Sequence, residues 1–399
     1  MQMQQRCISN FDMPWRKAAI YSDPMSRGTV ELERRQALAF LLGSAAASRT
    51  LAHAPIPVTP KNVKSRWSFV MDMLGGFGPD DIPALAASGL NAISMTLGQV
   101  GNAPGRFEAL IGDIATVDGL IERYRTNILL ARRFSDLARA KATDRTAIIY
   151  NVQDTSELEG DSSRIAVLKN LGIGVVQLTY NKRNLCGDGC LEPENAGLSD
   201  FGREVITAIN DQHLLLDLSH GGQRTISEAA RYSKAPAAVT HTACRALVNN
   251  QRNLYDEQMR EIADRGGVVG IFFIAYLRSG IGQPALDARP EDLIAHIEHA
   301  SNVVGEDHIG IGTDGGVGPV VITPEFREFW KRRYEDRVHQ GVATAGEGPD
   351  AFNFIPQYNM PDRLLRLADD LARRGWPARR IDKLLGANFH RLLGEVWNE

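Results

Sequence analysis

Residues 201–241, FGREVITAINDQHLLLDLSHGGQRTISEAARYSKAPAAVTH, contain the alternation that decides the fold. A helical pattern over 201–212 is followed by the apolar run 214–219, and a second apolar run covers 236–241. Neither run alternates between apolar and polar residues, which is typical of strands that are buried on both faces. Buried strands that alternate with amphipathic helices predict an α/β domain.

The same alternation extends along most of the chain. Apolar runs predict strands at 67–74, 90–96, 146–153, 174–180, 214–219, 236–241, 267–273 and 308–313. Helical patterns at 255–265 and 291–304 lie between the later runs. Eight such strands over about 250 residues predict a (β/α)8 TIM-type barrel, although a further run at 127–132 leaves the early strand count open. A doubly wound open sheet is the alternative, but no G-x-G-x-x-G motif follows an early strand.

Composition excludes several other classes of protein. Of the 399 residues, 43% are hydrophobic and 23% are charged, as in ordinary globular domains. The 45 Lys and Arg residues against 48 Asp and Glu residues give a net charge of −3. This balance provides no basic surface of the kind that duplex nucleic acid requires, so we predict no nucleic-acid partner.

The N-terminal segment has the pattern of an export signal. Adjacent arginines at 34–35 precede the apolar run 37–47, and the small-x-small triplet 52–54 follows. A charged stretch, a short apolar core and an A-x-A site predict a secretory signal peptide, and the paired arginines indicate the twin-arginine route. The apolar run is too short to cross a hydrocarbon core of ~30 Å, so we predict no transmembrane span. A surface helix or a lipid-bound anchor is the alternative.

Domain boundaries and localisation follow from this prediction. Residues 1–54 are an N-terminal extension with a signal peptide, and 55–399 form one barrel domain that is periplasmic or secreted. In that compartment Cys186 and Cys190, which flank Gly-Asp-Gly, are able to form a disulfide. Two free thiols are the equally weighted alternative.

Polar side chains stand where three of the predicted strands end. His220 follows one strand, His241 ends the next, and Asp314 follows the strand that begins at residue 308. In a (β/α)8 barrel the carboxyl ends of the strands form the active-site mouth, so we expect these side chains to converge. Imidazole and carboxylate groups are ligands of zinc, which activates a bound water. The sequence therefore predicts the site of a metal-dependent hydrolase.

The same residues carry a resemblance to a known family. The motifs are LDLSH (216–220), VTHT (239–242), QRN (251–253), GVVQLTYN (174–181), HIGIGTDG (308–315) and GANF (386–389). In this order they resemble the membrane (renal) dipeptidase family of metallopeptidases, over roughly residues 67 to 395. The resemblance implies a (β/α)8 barrel that hydrolyses dipeptides or other small amides.

The resemblance implies a role for seven residues. Four correspond to metal ligands of the family, namely His220, His241, Asp72 and Gln153. Three correspond to its other active-site residues, namely Asp314 for proton transfer, Tyr180 near the oxyanion and Arg252 on the substrate carboxylate.

Two positions depart from the family pattern. Val70 stands where the family's H-x-D pair has histidine, and the amide of Gln153 replaces the bridging glutamate. Since valine cannot bind a metal and an amide is a weaker bridge, we predict one metal ion held by His220 and His241. Zinc is expected, with manganese or another divalent metal as alternatives. Asp72 would be a further ligand or an orienting group.

These residues predict hydrolysis of the amide bond of a dipeptide or a similar small peptide-like substrate by a metal-activated water. A barrel that has lost its chemistry and binds a small peptide or acid is one alternative, and a hydrolase of a small ester or lactone is another. Asp154, Glu157 and Glu159 lie close to Gln153 in sequence, and one of them is a candidate to replace the family's bridging glutamate at the metal. The oligomeric state is open, with a homodimer as one candidate.

The C-terminal part predicts a helical extension of the barrel. Helical patterns cover 323–338 and 361–395. The segment 341–358, rich in Gly, Pro and Asn, predicts a loop able to lie over the mouth.

Overall fold

The computed structural model describes residues 67–101 and 103–397. The predicted signal peptide, and with it the predicted localisation, lies outside the described residues. Within the described part, no helix combines the length and the hydropathy that a membrane crossing needs.

The strands form one parallel sheet that closes on itself. In chain order they are β1 Met71–Gly76, β2 Ala92–Leu97, β3 Ile128–Leu130, β4 Thr146–Val152, β5 Ile173–Gln177, β6 Leu215–Asp217, β7 Ala238–Thr242, β8 Val268–Ile271, β9 Ile309–Ile311 and β10 Gly315–Gly316. The spatial order is β10-β1-β2-β4-β5-β6-β7-β8-β9. Because β10 directly continues β9 and pairs with β1, the sheet curls into a barrel, which confirms the predicted fold class.

The additional run at 127–132 forms a strand outside the ring. β3 pairs in parallel with residues 146–148 of β4, whereas β5 pairs with residues 150–152 of the same strand. The ring therefore contains the eight strands that the sequence predicted, and β3 extends the sheet beside the lower half of β4.

Helices separate the strands and continue after the last one. They are α1 Ile82–Ala87, α2 Arg106–Arg123, α3 Phe134–Ala142, α4 Arg164–Leu171, α5 Asp200–Asp211, α6 Gln223–Tyr232, α7 Asp256–Ala263, α8 Pro290–Val304, α9 Pro324–His339, α10 Arg363–Arg373, α11 Ala378–Asp382 and α12 Asn388–Val396. The predicted helical stretch 361–395 is thus divided. Gly375 has a φ of 86° and Pro377 cannot continue a helix, so α10 ends before them.

The last helix packs against the strands in one buried apolar cluster. Phe389 and Trp397 lie in it with Ala147, Val175 and other strand residues. A Cβ at Gly310 would lie 2.3 Å from the Phe389 ring, so the strand has glycine where the helix approaches it most closely. This packing occupies the amino-terminal part of the strands and leaves their carboxyl ends to polar side chains.

Candidate active site

Two buried histidines meet at the carboxyl ends of β6 and β7. His220 follows β6 in the left-handed region at a φ of 64°, and His241 is part of β7. Their Nε2 atoms are 2.9 Å apart, and the side chains are 5% and 0% exposed. The structure therefore brings together the two imidazoles that the strand-end pattern singled out.

The hydrogen bond on the other ring nitrogen assigns the proton of His220. Its Nδ1 lies 2.6 Å from Oδ1 of Asn181, and Nδ2 of that amide donates to the Val342 carbonyl at 2.7 Å. Because the carbonyl fixes the amide orientation, Nδ1 of His220 must be the donor to Oδ1. The Nε2 atom of His220 then carries the lone pair.

A relay of hydroxyl and carboxylate assigns His241 in the same way. Its Nδ1 lies 2.9 Å from Oγ1 of Thr240, and that hydroxyl donates to Oδ2 of Asp217 at 2.5 Å. Because the Thr240 hydroxyl uses its only hydrogen in the bond to Asp217, its oxygen accepts a hydrogen bond from Nδ1–H of His241. The Nε2 lone pair of His241 therefore faces the lone pair of His220.

Two facing lone pairs at this separation repel each other, and a cation between or beside them would relieve the repulsion. Burial, followed by the Arg252 guanidinium, holds the pKa of both imidazoles well below the usual range, so a proton is a poor occupant. Neutral imidazoles whose other nitrogen donates to a protein acceptor are typical divalent-metal ligands. Two Zn–N bonds of about 2.0–2.1 Å can span the gap, so the pair fits a metal ion.

Gln153 lies directly after β4 and adjoins this pair. Its Nε2 is 3.4 Å from Nε2 of His241, and its Oε1 is buried without a partner in the described structure. Since the two ends of an amide exchange by a flip, Gln153 is able to turn a carbonyl oxygen toward the same cation. An orphaned buried oxygen beside two nitrogen lone pairs fits a third ligand.

Asp72 forms hydrogen bonds to the residue that precedes Asp314. Its Oδ1 accepts from the backbone nitrogen of Thr313 at 2.8 Å, and its Oδ2 accepts from the hydroxyl of that residue at 2.6 Å. In the described part of the chain, no three His, Cys, Asp or Glu side chains are arranged to hold a metal ion. These bonds are compatible with the orienting role, since Thr313 directly precedes Asp314, and the metal-ligand role of Asp72 stays a prediction.

The three candidate replacement carboxylates accept hydrogen bonds from neighbouring segments of the chain. Asp154 accepts from the Gly101 nitrogen at 2.8 Å, Glu157 from the Gln99 nitrogen at 2.7 Å, and Glu159 from Arg164 at 2.8 Å. Oε2 of Glu157 is buried without a partner in the described structure, so the replacement role of these carboxylates stays a prediction.

Asp314 and Tyr180 lie at the same mouth. Asp314 follows β9 at a φ of 56°, and its backbone nitrogen donates to the Leu74 carbonyl at 2.7 Å. Burial raises the pKa of its carboxyl to about 6, against the opposing charges of Arg252, Arg333 and Arg337. The Tyr180 ring stacks on the His220 ring with centroids 4.1 Å apart.

Arg252 is a buried cation that lacks a carboxylate partner among the described residues. Its side chain is 3% exposed, Nη2 donates to the His241 carbonyl at 3.2 Å, and Nε is buried without an acceptor. A cavity of about 250 Å³ adjoins it and reaches His220. Because a buried guanidinium without an ion pair is costly, this side chain fits the binding of an anion.

The segment 324–348, which we term the cover, contacts residues of the mouth and includes the first part of the predicted loop 341–358. Arg337 of α9 contacts Glu347 at 2.5 and 2.8 Å, and its Nη1 donates to the Tyr180 hydroxyl at 3.2 Å. Although burial opposes it, the Arg337 charge lowers the pKa of Glu347 to about 2. The Val342 carbonyl that fixes Asn181 also belongs to the cover, so the cover takes part in orienting His220.

Sequence reasoning missed this supporting layer. The sequence placed Asn181 at a strand end. No sequence pattern predicted its hydrogen bond to His220, which is 39 residues away. The Arg337–Glu347 pair also had no sequence signal. Its contact with Tyr180 joins residues that are 157 positions apart. Cys186 and Cys190 are free in the structure, in line with the free-thiol alternative.

Comparisons with known proteins agree with this architecture. The sequence profile of the membrane dipeptidase family (peptidase family M19) matches residues 84–324. The dipeptidase tcpJ of Claviceps purpurea is 28% identical over 279 residues, which are 69% of this chain and 57% of that protein. The chain therefore spans less than two thirds of that fungal relative.

Solved structures are similar over most of the chain. An amidohydrolase from Pseudomonas aeruginosa is 30% identical with a TM-score of 0.73, and the match covers 86% of this chain and 100% of that one. A metallopeptidase from Rhodobacter sphaeroides, solved with a phosphinate mimic of the dipeptide L-Ala-D-Ala, is 19% identical with a TM-score of 0.63, covering 85% and 95%. By the extent of the profile match, the chain belongs to the membrane dipeptidase family, peptidase family M19.

Proposed function

We propose that this protein hydrolyses the amide bond of dipeptides or similarly small amides with the help of one divalent metal ion, zinc in the first place. The observation that carries the proposal is the convergence of two imidazole lone pairs at 2.9 Å. His220 and His241 would hold the ion, and Gln153 would offer its amide oxygen. When bound, such an ion supplies Lewis acidity that lowers the pKa of a water toward about 7.

The remaining residues of the mouth have separate tasks. Asp314, with a pKa of about 6, is ionised at neutral pH, takes the proton of the attacking water and returns it to the leaving amine. Tyr180 accepts a hydrogen bond from Arg337 at 3.2 Å, which leaves its own proton for donation to the developing oxyanion. Asp72 orients the Thr313–Asp314 turn through two hydrogen bonds to Thr313.

Arg252 would bind the free carboxylate of the substrate. A guanidinium forms paired hydrogen bonds with a carboxylate, and this one has a single acceptor within the described structure. The dipeptide mimic bound by the Rhodobacter sphaeroides metallopeptidase supports a substrate of this size. The cover contacts Tyr180 and Asn181 at the mouth, and its presence there would favour short peptides over long ones.

A binding protein without catalysis is the second candidate. It is favoured by one observation, the lack of a group of three His, Cys, Asp or Glu side chains suited to a metal among the described residues. The two candidates differ in turnover and agree in ligand binding.

Metal-restored turnover tests the proposed function. Protein stripped with a chelator is expected to be inactive on a panel of unblocked dipeptides and to regain activity with Zn²⁺ or Mn²⁺. The measurement is release of free amino acids, with ester and lactone substrates in parallel. Dipeptide binding without turnover under any metal would favour the binding protein, and exclusive turnover of esters or lactones would contradict amide hydrolysis.

Replacement of Arg252 by glutamine is expected to lower kcat/KM for dipeptides by about 10²-fold or more, because a buried charge pair with the substrate is lost. For dipeptide amides, which lack the carboxylate, the loss in kcat/KM should be much smaller. Arg260→Gln, an exposed position on α7, is the matched control. Equal losses for peptides and their amides would contradict the assigned contact.

A further inference from the structure

The cavity beside the histidine pair contains a second guanidinium. Arg245 and Arg252 both line this space of about 250 Å³, and His220 borders it as well. The two arginines belong to the loop between β7 and α7. A cavity of this volume accommodates an amino-acid side chain next to the proposed metal site.

Arg245, like Arg252, has no carboxylate partner among the described residues. Its Nε donates to the Asn249 side-chain oxygen at 2.9 Å, and its Cζ lies 4.6 Å from the centroid of the Tyr255 ring. These contacts hold the side chain in place without neutralising its charge. The cavity wall therefore carries two arginines that form no ion pair with a carboxylate among the described residues.

The acidic residue in the wall is engaged elsewhere. Glu192 accepts from the Arg183 backbone nitrogen at 3.0 Å and lies 4.0 Å from the Lys182 ammonium. It is thus held by the loop that precedes it. The net charge of the wall stays positive.

Cys190 and Gln251 line the same cavity as the two arginines. Cys190 lines the cavity, and although burial raises the pKa of its thiol to about 11, Arg252 and Arg245 both act to lower it. Between them in sequence, Gln251 has a buried Oε1 without a partner in the described structure, and so does Nε of Arg252. Unpartnered buried polar atoms facing a cavity indicate a polar ligand.

We infer that the substrate residue that bears the free carboxylate also has an acidic side chain. Arg252 binds the α-carboxylate and Arg245 binds the side-chain carboxylate, so the preferred substrates are dipeptides that end in aspartate or glutamate. The inference rests on the proposed function, because it assigns a substrate class to the same site. It adds a second anion-binding residue, Arg245, to the cavity.

Binding of the free amino acids tests the inference without turnover. Glutamate and glutamine have the same shape, but only glutamate carries the second charge. We expect calorimetry on the purified, metal-containing protein to show at least about tenfold tighter binding of glutamate than of glutamine, in the L or the D form. Arg245→Gln should abolish this preference, and Arg245→Lys should keep part of it. The control Arg260→Gln should keep all of it.

Each outcome bears on one claim. Equal affinity for the two amino acids, binding of neither, or a preference that survives Arg245→Gln would overturn the inference. A glutamate preference in a protein that cleaves no dipeptide would support the cavity assignment and contradict the proposed hydrolysis. Turnover of dipeptides with no acidic preference would contradict the inference alone.

Discussion

Replacement of His220 by alanine is expected to lower kcat/KM for dipeptide hydrolysis by at least ~10³-fold, because a catalytic metal ion contributes several kcal/mol to the barrier. The lone pair on Nε2 of His220 is one of two that converge at 2.9 Å, and one imidazole cannot hold the ion alone. The measurement is steady-state kinetics with excess Zn²⁺. His241→Ala should give a loss of similar size.

The control for this prediction is a histidine at the other end of the barrel. His308 precedes β9 and contacts the Gly267 carbonyl at 2.8 Å through Nδ1, so His308→Gln should retain activity. Circular dichroism checks that each variant is folded. A folded His220→Ala protein with wild-type activity would remove the basis of the proposed metal site.

Replacement of Asp314 by asparagine is expected to lower kcat by about 10²- to 10⁴-fold with a smaller change in KM, because asparagine cannot accept the proton. In the wild type, activity should rise with pH through about 6, the pKa of Asp314, since only the ionised carboxyl serves as base. The variant should lose this dependence. Burial also raises the pKa of Asp72 to about 6, so a retained pH dependence in Asp314→Asn would assign it to another group.

The same substitution should affect stability in a direction fixed by the pKa. The pKa of about 6 in the folded protein exceeds the ordinary aspartate value of 3.8, so the folded protein binds this proton more tightly than the unfolded chain. The resulting stabilisation is present below pH 3.8 and is lost as the pH rises through about 6. In urea titrations, the free energy of unfolding of Asp314→Asn, relative to that of the wild type, should therefore be higher at pH 8 than at pH 4.

The barrel and the position of its mouth could be predicted from the sequence because both depend on local patterns. Continuous apolar runs mark buried parallel strands, and parallel strands place their ends at one face. His220, His241 and Asp314 followed from that rule. The division of the stretch 361–395 was missed because amphipathic periodicity continues across Gly375 and Pro377.

The orientation of the site could not be predicted in the same way. Which nitrogen of His220 carries the proton depends on Asn181, and the amide of Asn181 depends on the Val342 carbonyl in the cover. Asp72 turns to Thr313, 241 residues away in sequence, a choice set by how the barrel closes. Contacts across such distances leave no periodic trace along the chain.

Metal content is the most direct measure of whether two neutral imidazoles at the barrel mouth share a cation. Elemental analysis should find one divalent ion per chain in the wild type and less than a tenth of that in His220→Ala and His241→Ala, with His308→Gln unchanged. A wild-type protein that takes up no ion after incubation with Zn²⁺ or Mn²⁺, or histidine variants that hold as much as the wild type, would contradict the account.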